Sequence, residues 1–331
     1  MEKVTKPIFT DVLQVGMVVK DLDEAVKNYA DGYGIGPWKF YTFDSRTVSN
    51  MSIREQKTDY AMRLAVCDIG NVQWELIQPT DDKTLYAEFL KKHGPGLHHC
   101  AFGIENYDEF MKIMRAKGKM VVQEGNWLGF TYTYMGTEDE LNVISEVYNV
   151  SPGWEWPEPE KIYEAPKTVK PVFTNVLQVG MVVKDLDQAV KNYADKYGIG
   201  PWKYYTFDST TVSNMSIREK KTDYAMRLAV CDIGNVQWEL IQPTDDKTLY
   251  AEFLKEHGPG LHHCAFDIEN YEEVMKTMRS KGKMVVQEGT WFGMTYTYAG
   301  NEDDLNLITE FYNIAPEFEW PEPESVYPPD K

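Results

Sequence analysis

Residues 12–40 of the chain read VLQVGMVVKDLDEAVKNYADGYGIGPWKF, and residues 176–204 read VLQVGMVVKDLDQAVKNYADKYGIGPWKY. A second stretch, Tyr60–Lys91, recurs without a single change as Tyr224–Lys255. The offset is 164 residues in both comparisons, so the copies match without insertion. Self-similarity at a fixed period marks a structural unit that has been copied. The sequence therefore predicts two tandem copies of one unit.

The segments that follow the two copies are rich in proline, glutamate and aromatic residues: SPGWEWPEPEKIYEAPKTVKP and APEFEWPEPESVYPPDK. Proline favours extended backbone, and this composition is typical of connectors. We therefore predict a first domain at residues 1–152, a linker at 153–172, a second domain at 173–316 and a C-terminal tail at 317–331.

Each copy contains a fainter internal repeat, a strand followed by a helix. Leu13–Val19 precedes DLDEAVKNYA, and His98–Ile104 precedes ENYDEFMKIM. Both helical segments have apolar residues at helical spacing and acidic residues in the first turn. KTLYAEFLKKHG is predicted to be a helix that joins the two halves. Three further strands are predicted in each half of the first copy: Trp38–Phe43, Met62–Val66 and Val72–Ile77, then Met120–Gln123, Phe130–Tyr134 and Asn142–Tyr148. The fold class is thus α+β, with four βαβββ modules in two tandem copies.

The composition disfavours several classes of partner. The chain has 331 residues and a formal net charge of −18, which disfavours binding to the phosphates of nucleic acid or to an anionic membrane. No apolar stretch approaches the length of a membrane span, and the N-terminal sequence lacks the apolar core of a signal peptide. The cysteines lie in apolar runs without CxxC spacing, which is typical of reduced, buried thiols. We expect a cytoplasmic protein that binds neither nucleic acid nor membrane.

Strand alternation predicts four polar side chains on one inner face of each copy. Gln14 and His99 occupy equivalent positions in the two strands that open the halves, with Leu13 and the alternating apolar residues facing the helix. Glu75 and Glu146 lie in the last strands of the two halves. One imidazole nitrogen and three oxygens suit a six-coordinate divalent ion, so we predict one metal site per copy. The second copy keeps the whole set as Gln178, Glu239, His263 and Glu310.

The motifs QVGMVVKDLDEAVKNY, IGNVQWELIQP and GPGLHHCAF occur in this order in the first copy. Together they resemble the vicinal oxygen chelate superfamily, which includes glyoxalases, bleomycin-resistance proteins and dioxygenases, and within it the methylmalonyl-CoA epimerases most closely. The resemblance implies paired modules that curl into a cup-shaped mixed sheet around a divalent ion, which could be cobalt, manganese, nickel or zinc. It assigns the metal ligands to the four polar positions of each copy, and it implies that His98 points away from the metal.

Two positions depart from the epimerase pattern. The epimerases usually have histidine where this chain has Gln14, whereas some glyoxalases have glutamine there. The epimerases also have a catalytic glutamate ahead of the third strand, where Asp59 and Asp223 stand in this chain. Because many relatives form their working unit from two chains, the duplication is interpreted as a covalent pseudo-dimer.

The function implied is a divalent-metal-dependent isomerase, an epimerase or racemase. It would abstract a proton alpha to a carbonyl through a metal-stabilised enolate. Epimerisation needs an acid–base group on each face of the carbon. Our candidates are Glu146 with Asp59 in the first copy and Glu310 with Asp223 in the second. The aromatic runs GPWKFYTF and GNWLGFTYTY suit an aromatic or phenolic ketone, and no basic cluster suits the phosphates of coenzyme A.

Two other functions are compatible with the sequence. A glyoxalase-type lyase or isomerase acting on a thiol adduct is favoured by Gln14. A small-molecule-binding protein of the resistance type is the second alternative, although such proteins commonly lack the metal ligands that both copies have. An extradiol dioxygenase is disfavoured, because its iron site needs two histidines and one carboxylate and Gln14 replaces a histidine.

Overall fold

The computed structural model describes residues 6–328, which form two compact units. One unit comprises residues 8–171 and therefore includes nearly all of the predicted linker. The other comprises residues 172–328 together with Lys6 and Pro7. The first residues of the predicted first domain, 1–5, and the last residues of the predicted tail, 329–331, lie outside the described residues.

The first unit contains eleven strands and four α-helices, bounded as follows: β1 Val12–Val18, α1 Leu22–Lys27, β2 Trp38–Phe43, β3 Val48–Ile53, β4 Gln56–Lys57, β5 Met62–Ile69, β6 Val72–Pro79, α2 Leu85–His93, β7 Gly96–Phe102, α3 Tyr107–Ala116, β8 Val121–Trp127, β9 Phe130–Met135, α4 Glu138–Leu141, β10 Ile144–Val150 and β11 Lys161–Tyr163. A π-helical segment, Asn28–Gly32, continues α1.

The second unit repeats this order without a counterpart of α4 among the described residues. Its elements are β12 Val176–Val182, α5 Leu186–Lys191, β13 Trp202–Phe207, β14 Val212–Ile217, β15 Lys220–Lys221, β16 Met226–Ile233, β17 Val236–Pro243, α6 Leu249–His257, β18 Gly260–Phe266, α7 Tyr271–Ser280, β19 Val285–Trp291, β20 Met294–Gly300, β21 Ile308–Ile314 and β22 Ser325–Tyr327. The π-helical segment Asn192–Lys196 continues α5.

Each unit is one curled mixed sheet of 11 strands, which confirms the predicted fold class. The strand order in the first unit is β11-β2-β5-β6-β1-β7-β10-β9-β8-β3-β4. The two modules meet in the middle, where β1 and β7 pair antiparallel. Each of these strands pairs in parallel with the last strand of its own module, β6 or β10. The four strands β6, β1, β7 and β10 therefore lie side by side, and they contain all the predicted metal ligands.

The helices begin at side-chain caps that the sequence contains. The carboxylate of Asp21 accepts a hydrogen bond from the backbone N–H of Glu24, and Asn106 caps α3 in the same way. Such caps satisfy N–H groups that have no partner within the helix. Phe110 and Met114, one turn apart, are the buried residues of α3. The three helices predicted from periodicity in the first copy are confirmed.

Two features of the first module differ from the predicted pattern. The hairpin β3–β4 was not predicted, because VSNMSI lacks a regular apolar alternation; β3 pairs with β8 of the other module. The prediction that Leu13 faces the helix is wrong. A register shift between Val12 and Gln14 interrupts the alternation, and Leu13 is 41% exposed. One extra residue in a strand rotates the side chains that follow it.

The segment after the first copy is held against its sheet. β11 pairs antiparallel with β2, and the carboxylate of Glu160 accepts hydrogen bonds from the backbone N–H and the hydroxyl of Thr42. Ahead of β11, Trp154 and Trp156 pack on each other and on Trp127. The linker is thus extended, and it places aromatic side chains beside β8. No helix in the described part of the chain is long and apolar enough to cross a membrane.

Candidate metal centre

The contact between His99 and Gly16 fixes the centre of the first unit. These residues face each other across the β1–β7 pair. A Cβ atom on residue 16 would lie 1.8 Å from Cε1 and 2.2 Å from Nε2 of His99, so the imidazole occupies the space of a side chain. Gly180 and His263 repeat the arrangement, with 1.9 Å and 2.2 Å. Only glycine at this position leaves room for the ring.

Two carboxylates converge on this imidazole. Nε2 of His99 lies 3.5 Å from Oε2 of Glu75 and 3.2 Å from Oε2 of Glu146. All three side chains are buried, and His99 has no exposed surface. In the second unit the corresponding distances from His263 are 3.5 Å to Glu239 and 3.1 Å to Glu310. The structure therefore brings together the predicted histidine and both predicted glutamates in each copy.

The donor atoms fit a divalent cation. In each unit the ligand atoms of the triad lie within 4.8 Å of one another. Neighbouring ligands of a six-coordinate ion with bonds near 2.1 Å are roughly 3 Å apart, which is close to the separations from the imidazole nitrogen. Within residues 6–328, Nε2 of His263 is buried without a hydrogen-bond partner. A buried nitrogen that faces two carboxylates but makes no hydrogen bond is a suitable metal ligand.

Gln14, the fourth predicted ligand, is connected to the triad through Tyr148. Nε2 of Gln14 donates to Oε1 of Gln73 at 2.7 Å, which fixes the orientation of the amide. The amide oxygen lies 2.9 Å from the hydroxyl of Tyr148, which is also 3.1 Å from Oε2 of Glu146. Gln14 lines the same cavity as Glu75 and Glu146. The second unit has the same network around Gln178. Gln73 and Tyr148 were missed by sequence reasoning, although Tyr148 shares the strand face of Glu146.

His98 lies behind His99 because of a β-bulge. The β1–β7 register passes from Gly16↔His99 to Met17↔Leu97, so His98 is the extra residue. Nδ1 of His98 is 3.0 Å from Nδ1 of His99. Burial lowers the pKa of His98 well below its usual value, so its ring stays neutral and can accept a hydrogen bond. His99 then donates through Nδ1, so Nε2 is the nitrogen that faces the carboxylates and that would hold a metal ion.

The carboxylates also control the charge of His99. Burial by itself lowers the pKa of this imidazole, but the nearby carboxylates of Glu146 and Glu75 outweigh burial and raise the pKa to about 9. Burial and the nearby charge of Glu146 raise the pKa of Glu75. In the metal-free protein, a proton on His99 thus takes the place of a cation between two buried acids.

A cluster of tyrosines surrounds the triad. The hydroxyl of Tyr134 is 3.3 Å from Nε2 of His99, and it accepts a hydrogen bond from Tyr86 at 2.7 Å. Tyr132 is hydrogen-bonded to Tyr60 at 2.7 Å. Burial raises the pKa of Tyr86, Tyr132 and Tyr134, so all three stay protonated. The alternation in FTYTY predicts that Tyr132 and Tyr134 share a face, but the strand pattern does not tell which face.

Glu75 and Glu146 of the triad line a cavity of about 240 Å³. Apolar and aromatic side chains form most of its walls, and no lysine or arginine lines it in the described structure. A pocket of this kind favours a small molecule with a flat apolar part. The lining residues are Leu13, Gln14, Phe43, Met62, Leu64, Gln73, Glu75, Trp127, Phe130, Tyr132, Tyr134, Glu146, Tyr148 and Trp156.

Comparison with known proteins agrees with this architecture. A family model described as the glyoxalase/bleomycin resistance protein/dioxygenase superfamily matches residues 13–134 and 177–298, more than half of the chain. The chain belongs to this superfamily. The resemblance seen in the motifs is thereby confirmed, and superfamily members generally bind a divalent metal ion. No curated protein sequence matches the chain.

Several solved structures are similar to the chain. The chain is similar to a mutant of 4-hydroxymandelate synthase from Streptomyces coelicolor, with 15% identity and a TM-score of 0.62 over 95% of each chain. Methylmalonyl-CoA epimerase from Mycobacterium tuberculosis is 22% identical, with a TM-score of 0.34 over 45% of this chain and 93% of the epimerase. The Mn(II)-bound glyoxalase from Novosphingobium aromaticivorans is 15% identical, with a TM-score of 0.49 over 93% of this chain and 83% of the glyoxalase.

Asp59 and Asp223, our second acid–base candidates, are not brought to the triad. Asp59 is exposed in the loop before β5, and Lys83 donates to its backbone oxygen at 2.8 Å. Asp223 has the same contact with Lys247. Within the described residues, Asp59 does not line the cavity, although Met62 three residues later does. Their catalytic role stays a prediction.

The duplicated triads predict up to two divalent ions per chain. The variant His99→Ala should lose one ion and keep the His263 site, and His263→Ala should do the reverse. Elemental analysis of protein loaded with cobalt, manganese, nickel or zinc gives the stoichiometry. Loss of both ions from a folded single variant would mean that the two sites are not independent.

Gly16→Ala should abolish metal binding in the first copy only. The new methyl group would overlap the His99 ring, and a rigid core does not make room for it. We expect the ion content to fall to that of His99→Ala, with a cost in stability of about 1–3 kcal/mol. Gly180→Ala is the matched variant for the second copy. Full metal occupancy in Gly16→Ala would contradict the proposed ring position.

Metal binding should release protons at pH 7.5. The raised pKa of His99 keeps its imidazole charged below about pH 9, and a cation must displace that proton. Apparent affinity should therefore rise as the pH increases toward 9 and level off above it. Calorimetry in buffers of different ionisation enthalpy measures the release. No dependence on the buffer at pH 7.5 would contradict the assigned charge.

Proposed function

We propose that each copy is a divalent-metal-dependent isomerase, of the epimerase or racemase type, that abstracts a proton from the carbon next to a carbonyl. The observation that carries this proposal is the buried triad of each copy, which in the first copy borders a largely aromatic cavity. Gln14, Glu75, His99 and Glu146 would hold the ion, and manganese, cobalt, nickel and zinc all accept such a set. When bound, the cation polarises the carbonyl oxygen of the substrate and makes the adjacent C–H more acidic.

The chain's own residues then handle the proton. Glu75 and Glu146 are the carboxylates that line the cavity among the described residues, and we propose Glu146 as a base. The hydroxyl of Tyr148, 3.1 Å from Oε2 of Glu146, limits the orientation of that carboxylate. Inversion needs a second group on the opposite face of the carbon. The sequence predicts Asp59 for that role, although its exposed side chain lies outside the cavity; Glu310 and Asp223 are the counterparts in the second copy.

The walls of the cavity favour a neutral, flat substrate. Trp127, Phe130 and Trp156 supply aromatic surface, and the described residues place no cation there to receive a phosphate or a carboxylate. The two glutamates already balance the charge of a divalent ion, so a charged substrate would lack a counter-charge. An aromatic or phenolic ketone with an acidic C–H fits these conditions better than an acyl-coenzyme A.

Solvent deuterium exchange tests this proposal directly. The metal-loaded protein should exchange the alpha proton of an aromatic ketone and should racemise a single enantiomer of a chiral one. Chelation of the metal should abolish both reactions, and a panel of acyl-coenzyme A esters serves for comparison. If no carbonyl compound exchanges its alpha proton in the metal-loaded protein, the isomerase proposal fails.

The double variant Asp59→Asn, Asp223→Asn tests the second base. Metal content and folding should be unchanged, whereas racemisation should fall by roughly 100- to 10,000-fold, the usual contribution of a positioned base. Exchange of one enantiomer's proton through Glu146 should persist. Asp82→Asn with Asp246→Asn, in another exposed loop, is the matched control. Full racemase activity in the Asp59 and Asp223 variant would leave the glutamates as the bases.

One observation favours a second candidate, a glyoxalase-type enzyme acting on a thiol adduct. Gln73 and Tyr148 orient the Gln14 amide, so the glutamine is a built part of the site. The two candidates differ in their co-substrate: glyoxalase activity requires an added thiol such as glutathione, and racemisation of a ketone does not. Turnover of a 2-oxoaldehyde only when the thiol is present would favour this second function.

A further inference from the structure

We infer that the two copies differ in substrate selectivity, and that Phe130 and its counterpart Met294 set the difference. The inference rests on the proposed function in one respect, namely that the cavity beside the triad is the substrate pocket. It goes further, because the metal sites themselves are the same in both copies and give no reason to expect two substrates.

The residues that line the first copy's cavity differ from their counterparts in the second copy at one position. Every described residue that lines the cavity of the first copy recurs 164 residues later, except that Met294 replaces Phe130. The triad distances also agree between the copies to within 0.1 Å. The copies thus share the triad geometry and differ at one of the positions that line the first copy's cavity.

Phe130 is placed where it can affect a bound molecule. Its ring lies 4.6 Å from that of Tyr148, whose hydroxyl contacts Gln14 and Glu146. On the other side it lies 4.8 Å from the ring of Trp154. The side chain is half-buried and lines the cavity. An aromatic ring on a molecule bound in the cavity would therefore meet the flat surface of Phe130.

Met294 offers a different surface at the same place. It is 6% exposed and packs in the apolar core of the second unit. Methionine is unbranched and flexible, so it fills irregular gaps and lacks a flat face for stacking. The residue behind it also changes, since Phe318 takes the place of Trp154. The second copy should accordingly discriminate less between an aromatic and an aliphatic ligand.

The neighbouring sequence changes together with this position. NWLGF of the first copy, residues 126–130, becomes TWFGM in the second, whereas Tyr60–Lys91 is unchanged. Strands β1 and β6, which hold the predicted ligands Gln14 and Glu75, have the same sequences as β12 and β17 of the second copy. Strand β10, which holds Glu146, differs from β21 at three positions, but the glutamate itself is kept.

Two neutral chelating ligands, benzoylacetone and acetylacetone, test the inference. They share the same diketone and differ by a phenyl group in place of a methyl group. In zinc-loaded His263→Ala, the measured affinity is that of the first site alone. In zinc-loaded His99→Ala, it is that of the second site. We expect the affinity ratio of benzoylacetone to acetylacetone to be roughly 3- to 10-fold higher at the first site, the usual effect of one aromatic contact.

Exchange of the two residues gives the decisive comparison. In the protein that keeps only the first site, Phe130→Met should lower the affinity ratio of benzoylacetone to acetylacetone to the value measured at the second site. In the protein that keeps only the second site, Met294→Phe should raise this ratio. Each residue already occurs in the same fold in the other copy, so both exchanges should fold. Leu128→Phe introduces the second copy's residue at an exposed position outside the cavity, and it should leave the ratio unchanged.

Equal ratios at the two sites, or ratios that the exchange does not change, would overturn the inference. Failure of both diketones to bind a zinc-loaded site would overturn it too, because the cavity would then not be the ligand pocket. Neither result decides the isomerase proposal, which the deuterium-exchange experiment tests without these ligands.

Discussion

The burial of two carboxylates around one imidazole is the constraint on which the rest of this structure depends. Glu75 and Glu146 lie in the interior, where an unneutralised pair of charges is costly, and His99 between them offers one proton at most. A divalent cation removes that cost. Three features keep the donor atoms in place for such an ion. Gly16 leaves room for the imidazole of His99, His98 lies 3.0 Å from its Nδ1, and buried tyrosines surround it.

The period of two residues in a strand made most of the metal centre predictable. Gln14, Glu75, His99 and Glu146 were found because symmetric strands place equivalent residues on one inner face, and the sheet topology confirms that symmetry. The strand predictions failed where the two-residue alternation of apolar side chains is interrupted or absent. A register shift leaves Leu13 exposed, and the polar sequence VSNMSI lacks the apolar alternation that would predict a strand.

The remaining omissions concern contacts that only the three-dimensional structure defines. Gln73 orients Gln14 from a neighbouring strand, and nothing in the spacing of two glutamines in sequence reveals that pairing. The fold by itself does not decide the reaction, because unrelated chemistries occur on similar scaffolds. The donor set and the aromatic residues that line the cavity support the proposed function, and all of these side chains except Phe130 recur in the second copy.

The identity of the copies also has a consequence for how the chain reaches its fold. β6 and β17 have the same sequence, and so do β1 and β12, so β6 could pair with β12 in the register that it uses with β1. The loop between β6 and β12 is roughly twice as long as that between β1 and β6, and doubling a loop costs only about 0.6 kcal/mol. Loop entropy therefore discriminates weakly between correct and crossed pairing.

Synthesis from the N-terminus removes the ambiguity, because β1 through β10 can assemble before β12 leaves the ribosome. A chain diluted from denaturant has no such order, and crossed strands should be its characteristic kinetic trap.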